Sequence, residues 1–272
     1  MNGFESWGLK RAPFDTSPEP DFFFPSEDHR EALARLEFLA REHGTQLGLL
    51  TGAIGCGKSL VRAVFARQSA PRRLVAQVTS SHYPFTSLLR SVLAQLGAAE
   101  PGGGAGEFDL MTRFQELLLA RKAPAVVLLD EAQELPHDAL VGVRAMTNLA
   151  DGHLDLTIVL VGQPELRDLV LSLPQLDQRA GLRYHLQPLA ASEVGSYLKW
   201  RLTAAGHPGG ELFAPDAVTA VAAASHGVPR EINRLSRLAM AVAAGRKAER
   251  IEERDVDVVV SDLARQQGTV TG

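Results

Sequence analysis

The chain has one cysteine, Cys56, so no disulfide can form within it; a secreted cystine scaffold is excluded and a reducing compartment fits. Long apolar runs are missing as well. The strongest, residues 126–129 and 158–161, fall far short of the ~20 residues that a membrane helix needs. Nor is there an excess of positive charge. With 28 basic residues against 32 acidic, the formal net charge is −4, so no global polycation exists to grip nucleic acid or an anionic membrane, although a local basic patch stays open. The N-terminus mixes Glu5, Lys10, Arg11 and Asp15 with no apolar stretch behind them, unlike a signal peptide. These absences predict a soluble, cytoplasmic protein. What is present is an ordinary globular composition, 45% hydrophobic and 22% charged over 272 residues. It excludes collagen-like and wholly disordered chains and suits one or two domains.

The first 25 residues are rich in proline and phenylalanine (Phe14, Pro18, Pro20, Phe22, Phe23, Phe24, Pro25), which forbids a continuous helix. A helix is predicted to open near Ser26, with Glu27 and Asp28 at its dipole-favoured start and Leu33, Leu36 and Ala40 as its buried stripe. From there, short apolar runs at residues 47–51, 74–78, 125–129 and 156–161 alternate with helix-length segments near 58–68, 85–96, 108–122 and 138–149. Such alternation predicts an α/β fold, a parallel sheet covered by helices on both faces. Residues 182–189 read as a further strand, and the glycine-rich stretch 97–106 as a flexible connection inside the sheet domain. Beyond Pro188 the strand signals vanish; alanine- and leucine-rich helices follow near 192–204, 215–224 and 230–244, and a last short helix near 253–264. The expectation is an αβα domain over residues 1–189 and a small all-helical domain over 190–272. The helical part carries ten basic and ten acidic residues, so the whole negative balance sits on the sheet domain.

Residues 52–59, GAIGCGKS, match G-x-x-x-x-G-K-[ST] between a predicted strand and a predicted helix. In that setting Gly52, Gly55 and Gly57 let backbone N–H groups wrap around phosphates, with Cys56 and Leu60 completing the binding set. Lys58 reaches the terminal phosphates, and the Ser59 hydroxyl can bind Mg²⁺. Residues 126–131, VVLLDE, form an apolar strand ending in two carboxylates. Asp130 would hold the metal shell, and Glu131 would polarise a water for attack on a γ-phosphate. A hydrophobic run ending in Asp-Glu is common by itself. One strand and its helices downstream of a phosphate loop, it becomes specific, and the two motifs together point to nucleotide hydrolysis rather than binding alone.

Here the sequence resembles the AAA+ ATPases: a P-loop αβα sandwich followed by a small helical lid. The resemblance is to the secretion-pathway protein A (ExeA-like) branch, which includes pilus-biogenesis and transposition-associated relatives. It is carried by WGLKRAPF at 7–14, PDFFF at 20–24, HREAL at 29–33 and DEAQ at 130–133. It continues through VGQPEL at 161–166, Gln178-Arg179 ahead of LRYHLQPL at 182–189, and GVPREIN at 227–233. The resemblance implies ATP and Mg²⁺ as cofactors, Gln163 as a polar sensor of the γ-phosphate, and residues 1–25 beside the adenine. It also implies an arginine finger offered to a neighbouring subunit, Arg179, with Arg183 as the competitor. Arg230 would be the second sensor, linking the lid to the phosphate state. Arg234 and Arg237 share its helical face, and Arg237 reads as a solvated charge. The implied function is Mg²⁺-dependent ATP hydrolysis driving conformational change in a homo-oligomer, a secretion- or pilus-type motor acting on a protein client. The alternative is a DNA-associated regulator of the transposition type, with Arg72, Arg73 and residues 113–122 as the positive charges it would need. A simple P-loop small-molecule kinase explains neither the helical C-terminal part nor Arg230. Two departures from the pattern stand out. Cys56 occupies a loop position where a small hydroxyl residue or alanine is more usual, and a thiol at a helix N-terminus would permit redox inactivation. Secretion-type members carry a membrane segment and a periplasmic wall-binding part beyond the ATPase; the expectation for this chain is a stand-alone ATPase or an excised ATPase portion.

Overall fold

The computed structural model describes residues 5–15, 17–79, 82–98, 104–149 and 154–268. Of the connection expected over 97–106, residues 99–103 lie outside the described residues. The elements run α1 (Glu27–Leu39), β1 (Thr45–Gly52), α2 (Lys58–Ser69), β2 (Leu74–Thr79), α3 (Phe85–Gln95), α4 (Glu107–Arg121), β3 (Ala125–Asp130) and α5 (His137–Thr147). They continue with β4 (Leu156–Gly162), α6 (Glu165–Leu171), α7 (Pro174–Asp177), β5 (Ala180–Leu186), α8 (Ala191–Ala204), α9 (Pro215–Ser225), α10 (Pro229–Gly245) and α11 (Glu253–Gly268). Among the described residues, no helix is long and apolar enough to cross a membrane. The chain divides into two units.

One unit takes residues 29–54 and 58–186. Its five strands are all parallel, in the order β2-β3-β4-β1-β5. Parallel strands covered on both faces need apolar side chains on both, and β3 and β4 are accordingly buried along their whole length. β5, at the edge, exposes Gly181, Arg183 and His185 in alternation. Leu47, Leu49, Val127, Leu129, Ile158 and Leu160 share one core with Leu88, Leu89 and Val92 of α3, Phe114 of α4 and Val143 of α5. Successive side chains of a strand point to opposite faces, so alternate residues supply this one. Each fully buried side chain of this size contributes about 1.5–3 kcal/mol, which ties α3, α4 and α5 to the sheet.

Three details differ from the sequence expectation. The buried face of α1 is His29, Ala32, Leu36 and Leu39, with Ala40 just beyond the helix, so Leu33 lies beside the stripe rather than in it. β5 starts at Ala180 and stops at Leu186, because the Gln187 N–H donates to Asp28 Oδ2 at 2.7 Å and Pro188 has no N–H to offer. The helices α6 and α7 fall outside the expected segments; at seven and four residues they are too short for a periodic signal.

The other unit gathers residues 5–28, the loop tip 55–57 and residues 187–268. Its core joins Val194, Leu198, Leu202, Val221, Ile232, Leu235 and Ile251 to Trp7, Leu9, Phe14 and Phe22. The N-terminal segment, expected with the sheet domain, thus packs within the helical unit. Its aromatic side chains find their apolar partners there. Arg201, 3% exposed, anchors the segment: Nε donates to the Pro13 carbonyl at 2.6 Å and Nη2 to the Asp15 carbonyl at 2.7 Å. Its guanidinium lies over the Phe22 ring at 4.5 Å, and that of Arg11 at 4.6 Å from the same centroid. Burial draws Arg201 below the usual arginine range, against the opposing pull of Tyr197.

Candidate functional site

The carboxyl ends of three adjacent strands carry the candidate chemistry. β1 runs into residues 52–59, where Gly55 and Gly57 take φ of +86° and +101°, the left-handed region that glycine enters without a Cβ penalty. Left-handed residues alternating with an ordinary one are the backbone pattern of an anion-binding nest, and α2 begins at Lys58, directly after the loop. Lys58 is 7% exposed; its Nζ donates to the carbonyls of Gly52 at 2.7 Å and Ala53 at 3.0 Å. Ser59 is half-buried and Cys56 fully buried.

β3 ends at Asp130, 5% exposed, whose Oδ1 accepts the Glu131 N–H at 3.1 Å. Arg62 of α2 lies one turn beyond Lys58, and its Nε is 3.2 Å from Asp130 Oδ2. The Arg62 N–H is not aimed at that oxygen, so this is an ion pair without a hydrogen bond through Nε. Glu131 has φ +51° and ψ +39°, an uncommon conformation for a side chain of its size. Its Oε2 accepts from Gln133 Nε2 at 2.8 Å. β4 lies between β3 and β1, with Gly162 opposite Thr51 and Leu160 opposite Leu129. Gln163 follows it directly, so Asp130, Glu131, Gln163 and the loop stand at neighbouring strand ends, where open parallel sheets bind ligands.

Residues 41–170 match the family described as "AAA domain". General secretion pathway protein A of Aeromonas hydrophila is 34% identical over 97% of the chain. The chain spans about half the length of that curated relative, 49%. Among solved structures, the Aeropyrum pernix ORC2 protein in its ADPNP–ADP complexes matches with a TM-score of 0.74 at 17% identity, over 94% of this chain and 72% of that one. The Aeropyrum pernix ORC1 protein in complex with DNA matches with a TM-score of 0.69 at 21% identity, over 93% and 69%. At these identities the two structures speak to the fold alone. Residues 41–170 of the chain thus carry an AAA domain. Along nearly its whole length the chain is similar to the secretion-pathway protein A type.

Of the remaining expected residues, Arg179 and Arg183 belong to the sheet unit, and Arg230, Arg234 and Arg237 to the helical unit. Arg179 immediately precedes β5, whose first residue pairs with Leu47, while the phosphate loop starts after Gly52. At 3.3 Å per residue the loop end of β1 is about 16 Å further along the strand. Arg179 is exposed, and its Nη2 donates to Asn148 Oδ1 at 2.9 Å. Arg183 instead donates to the Asp177 carboxylate at 2.7 Å and to the Asp177 carbonyl at 2.6 Å. Arg179 therefore has a neutral partner and Arg183 a charged one. Within the helical unit, Arg230 opens α10 with its side chain exposed, and its N–H donates to the Gly55 carbonyl at 3.2 Å. A Cβ on Gly55 would stand 2.7 Å from the Arg230 Cβ. Arg234 pairs with Glu231 at 3.6 Å, and Arg237 is exposed on the same face.

Two expectations are corrected. Arg73, named as a possible DNA contact, pairs with Glu37 at 3.1 Å with its side chain only 8% exposed. Burial alone would raise the Glu37 carboxyl, but Arg73 and Arg41 draw it below the usual carboxylate range. Cys56 is fully buried, which removes the solvent access that redox inactivation of its thiol requires. The sequence pattern alone assigns no role to Gln133 or Arg62. Gln133 sat in plain view in the DEAQ motif, and Arg62 at i+4 from Lys58 is the spacing that puts both on one helical face.

The donor set fits ATP with Mg²⁺. Among the described residues no group of three or more histidines, cysteines or acids could hold a metal. One carboxylate and one hydroxyl, Asp130 and Ser59, suit an ion that keeps waters and shares phosphate oxygens, as Mg²⁺ does.

Proposed function

We propose that this chain is a Mg²⁺-dependent ATP hydrolase that couples turnover to conformational change in a homo-oligomer. The observation that carries the reading is the adjacency of the β3, β4 and β1 ends, which groups an acid pair, a polar amide and a glycine-turned loop. Bound Mg²⁺ would neutralise charge on the β- and γ-phosphates, with Ser59 and Asp130 as its protein donors. Lys58 exchanges its carbonyl contacts for phosphate oxygens. Glu131 accepts a proton from the attacking water, and the Gln163 side-chain amide orients that water toward the γ-phosphate. Arg179, about 16 Å from its own loop by strand register, acts on the nucleotide of a neighbouring subunit. Arg230, at the loop tip, links nucleotide state to the helical unit.

The relative's name supports a secretion-type assembly or remodelling motor with a protein client, working in the cytoplasm where ATP is supplied. The DNA-associated reading loses one of its charges in the Arg73–Glu37 pair. A duplex-binding titration against salt decides between them, because phosphate contacts give a steep negative slope.

The test of the core reading uses two variants. Lys58→Ala should abolish ATP binding. Glu131→Gln should bind ATP normally while turnover falls by roughly 10²-fold, the scale of losing a general base. Equal ATPase rates for wild type and Glu131→Gln would remove Glu131 from its role. Absence of turnover by the assembled wild type would overturn the hydrolase reading.

A further inference from the structure

Gln133 is bound at both ends of its side chain, and the roles above leave it unused. Nε2 donates to Glu131 Oε2 at 2.8 Å, and Oε1 accepts the backbone N–H of Gln163 at 3.0 Å. The partners determine which way the amide faces: turned over, it would set its NH₂ against an N–H and its oxygen against a carboxylate. The end of β4 makes room for it. A Cβ on Gly162 would lie 2.5 Å from Gln133 Oε1, so glycine at that position lets the amide rest against the strand end. The turn itself does not need the side chain. Backbone bonds from Glu134 N–H to the Glu131 carbonyl, 2.9 Å, and from Leu135 N–H to the Ala132 carbonyl, 3.3 Å, already close it. Glu131 meanwhile sits in the left-handed region, a conformation that persists only where its surroundings hold it.

We infer that Gln133 is a positioning residue that ties the Glu131 carboxylate to the β4 corner carrying Gln163, making water activation and γ-phosphate sensing one mechanical unit. The inference rests on the hydrolase reading above. One carboxylate oxygen is held by Gln133, and the other takes the water proton. A movement of the Gln163 backbone, when its side chain engages a terminal phosphate, shifts Oε1 and with it the carboxylate on the opposite end of the amide. A carboxylate at position 133 would accept from Gln163 but repel Glu131, and an apolar chain would do neither.

The experiment compares wild type with Gln133→Met, which keeps the length of the side chain without its polarity, and with the isosteric Gln133→Glu. Steady-state Mg·ATP hydrolysis, amide exchange at Gln163 without nucleotide, and melting midpoints are measured. For Gln133→Met the KM should stay within about twofold and kcat should fall roughly 10²-fold, the scale of a 1 Å misplacement of a reacting group. Exchange at Gln163 should accelerate by up to about tenfold as its acceptor is lost. Gln133→Glu should lose kcat at least as strongly, and it carries the test if the methionine variant melts below assay temperature. Combining Gln133→Met with Gln163→Ala, which retains the backbone N–H, should cost no more than the worse single change. An unchanged kcat, unchanged exchange at Gln163, or fully additive losses would each overturn the inference. If the wild type shows no turnover, the hydrolase reading falls while exchange at Gln163 still decides whether the tie exists.

Discussion

Replacing Arg179 with alanine takes away a guanidinium that cannot reach its own phosphate loop. Ala180 pairs with Leu47, and Gly52 stands five residues further along β1, about 16 Å at 3.3 Å per residue. An arginine side chain spans well under that distance. The Asn148 amide that Arg179 binds is neutral and exposed, so little fold stability rides on the contact. The variant should therefore bind ATP nearly as wild type does and lose about 10³–10⁵ in turnover, the range for arginine fingers. Lys58→Ala, defective in the loop and intact at position 179, should be inactive for the opposite reason. In a head-to-tail assembly a site is competent when an intact loop meets an intact finger. An equal, randomly mixed population should thus recover about one quarter of the wild-type sites. ATPase rates are read across mixing ratios, with co-assembly verified by a mass tag on one component. Mixtures that co-assemble yet give only the sum of the separate rates would falsify the trans placement. Recovery with Arg183→Ala in place of Arg179→Ala would move the finger to β5, at the expense of the Asp177 pair.

Other consequences are open to simpler assays. Arg230→Ala should narrow the ratio of ATP to ADP affinity, whereas Arg237→Ala, on the same exposed face of α10, should leave it unchanged; identical behaviour of the two by equilibrium binding refutes the division. Gly142→Ala in α5 would set a Cβ 2.2–2.5 Å from the Phe85 ring. Overpacking of this kind costs about 1–3 kcal/mol, or roughly 2–4 °C of melting midpoint per kcal/mol, and an unchanged midpoint refutes it. Asp255 accepts from Arg246 through both oxygens, at 2.8 and 2.7 Å, and from the Glu252 N–H at 2.9 Å, so its carboxyl is held below its ordinary 3.8. A depressed folded value means that the stabilisation is fully present above about pH 5 and fades as pH falls below 3.8 through the folded value. The stability gap between wild type and Asp255→Asn in urea titrations should close with acidification; a gap that persists unchanged to about pH 2 contradicts the assignment.

Much of this molecule is local, and local features are legible without coordinates. The alternation of short apolar runs with helix-length segments marks β1 to β4, most strongly the central β3 and β4, because strands buried on both faces must be continuously apolar, and the strand boundaries follow within two residues. The phosphate loop is equally local: glycines at positions 55 and 57 meet left-handed backbone angles, and the lysine beside them opens a helix. Asp130 and Glu131 are readable as a strand end for the same reason. Strand order is a different matter. That β4 inserts between β3 and β1, and so sets Gln163 beside both carboxylates and loop, is a property of long-range pairing that no window of sequence contains. Only packing decided that the proline-rich first residues join the helical unit, since Trp7, Leu9, Phe14 and Phe22 state that they want burial but not against what. Only side-chain geometry distinguished Arg73, spent on Glu37, from an exposed cation, and Cys56, fully buried, from a reactive thiol. The bridge through Gln133 has the same origin. Its two partners are two and thirty residues away along the chain, and the sheet alone brings them within the reach of one amide.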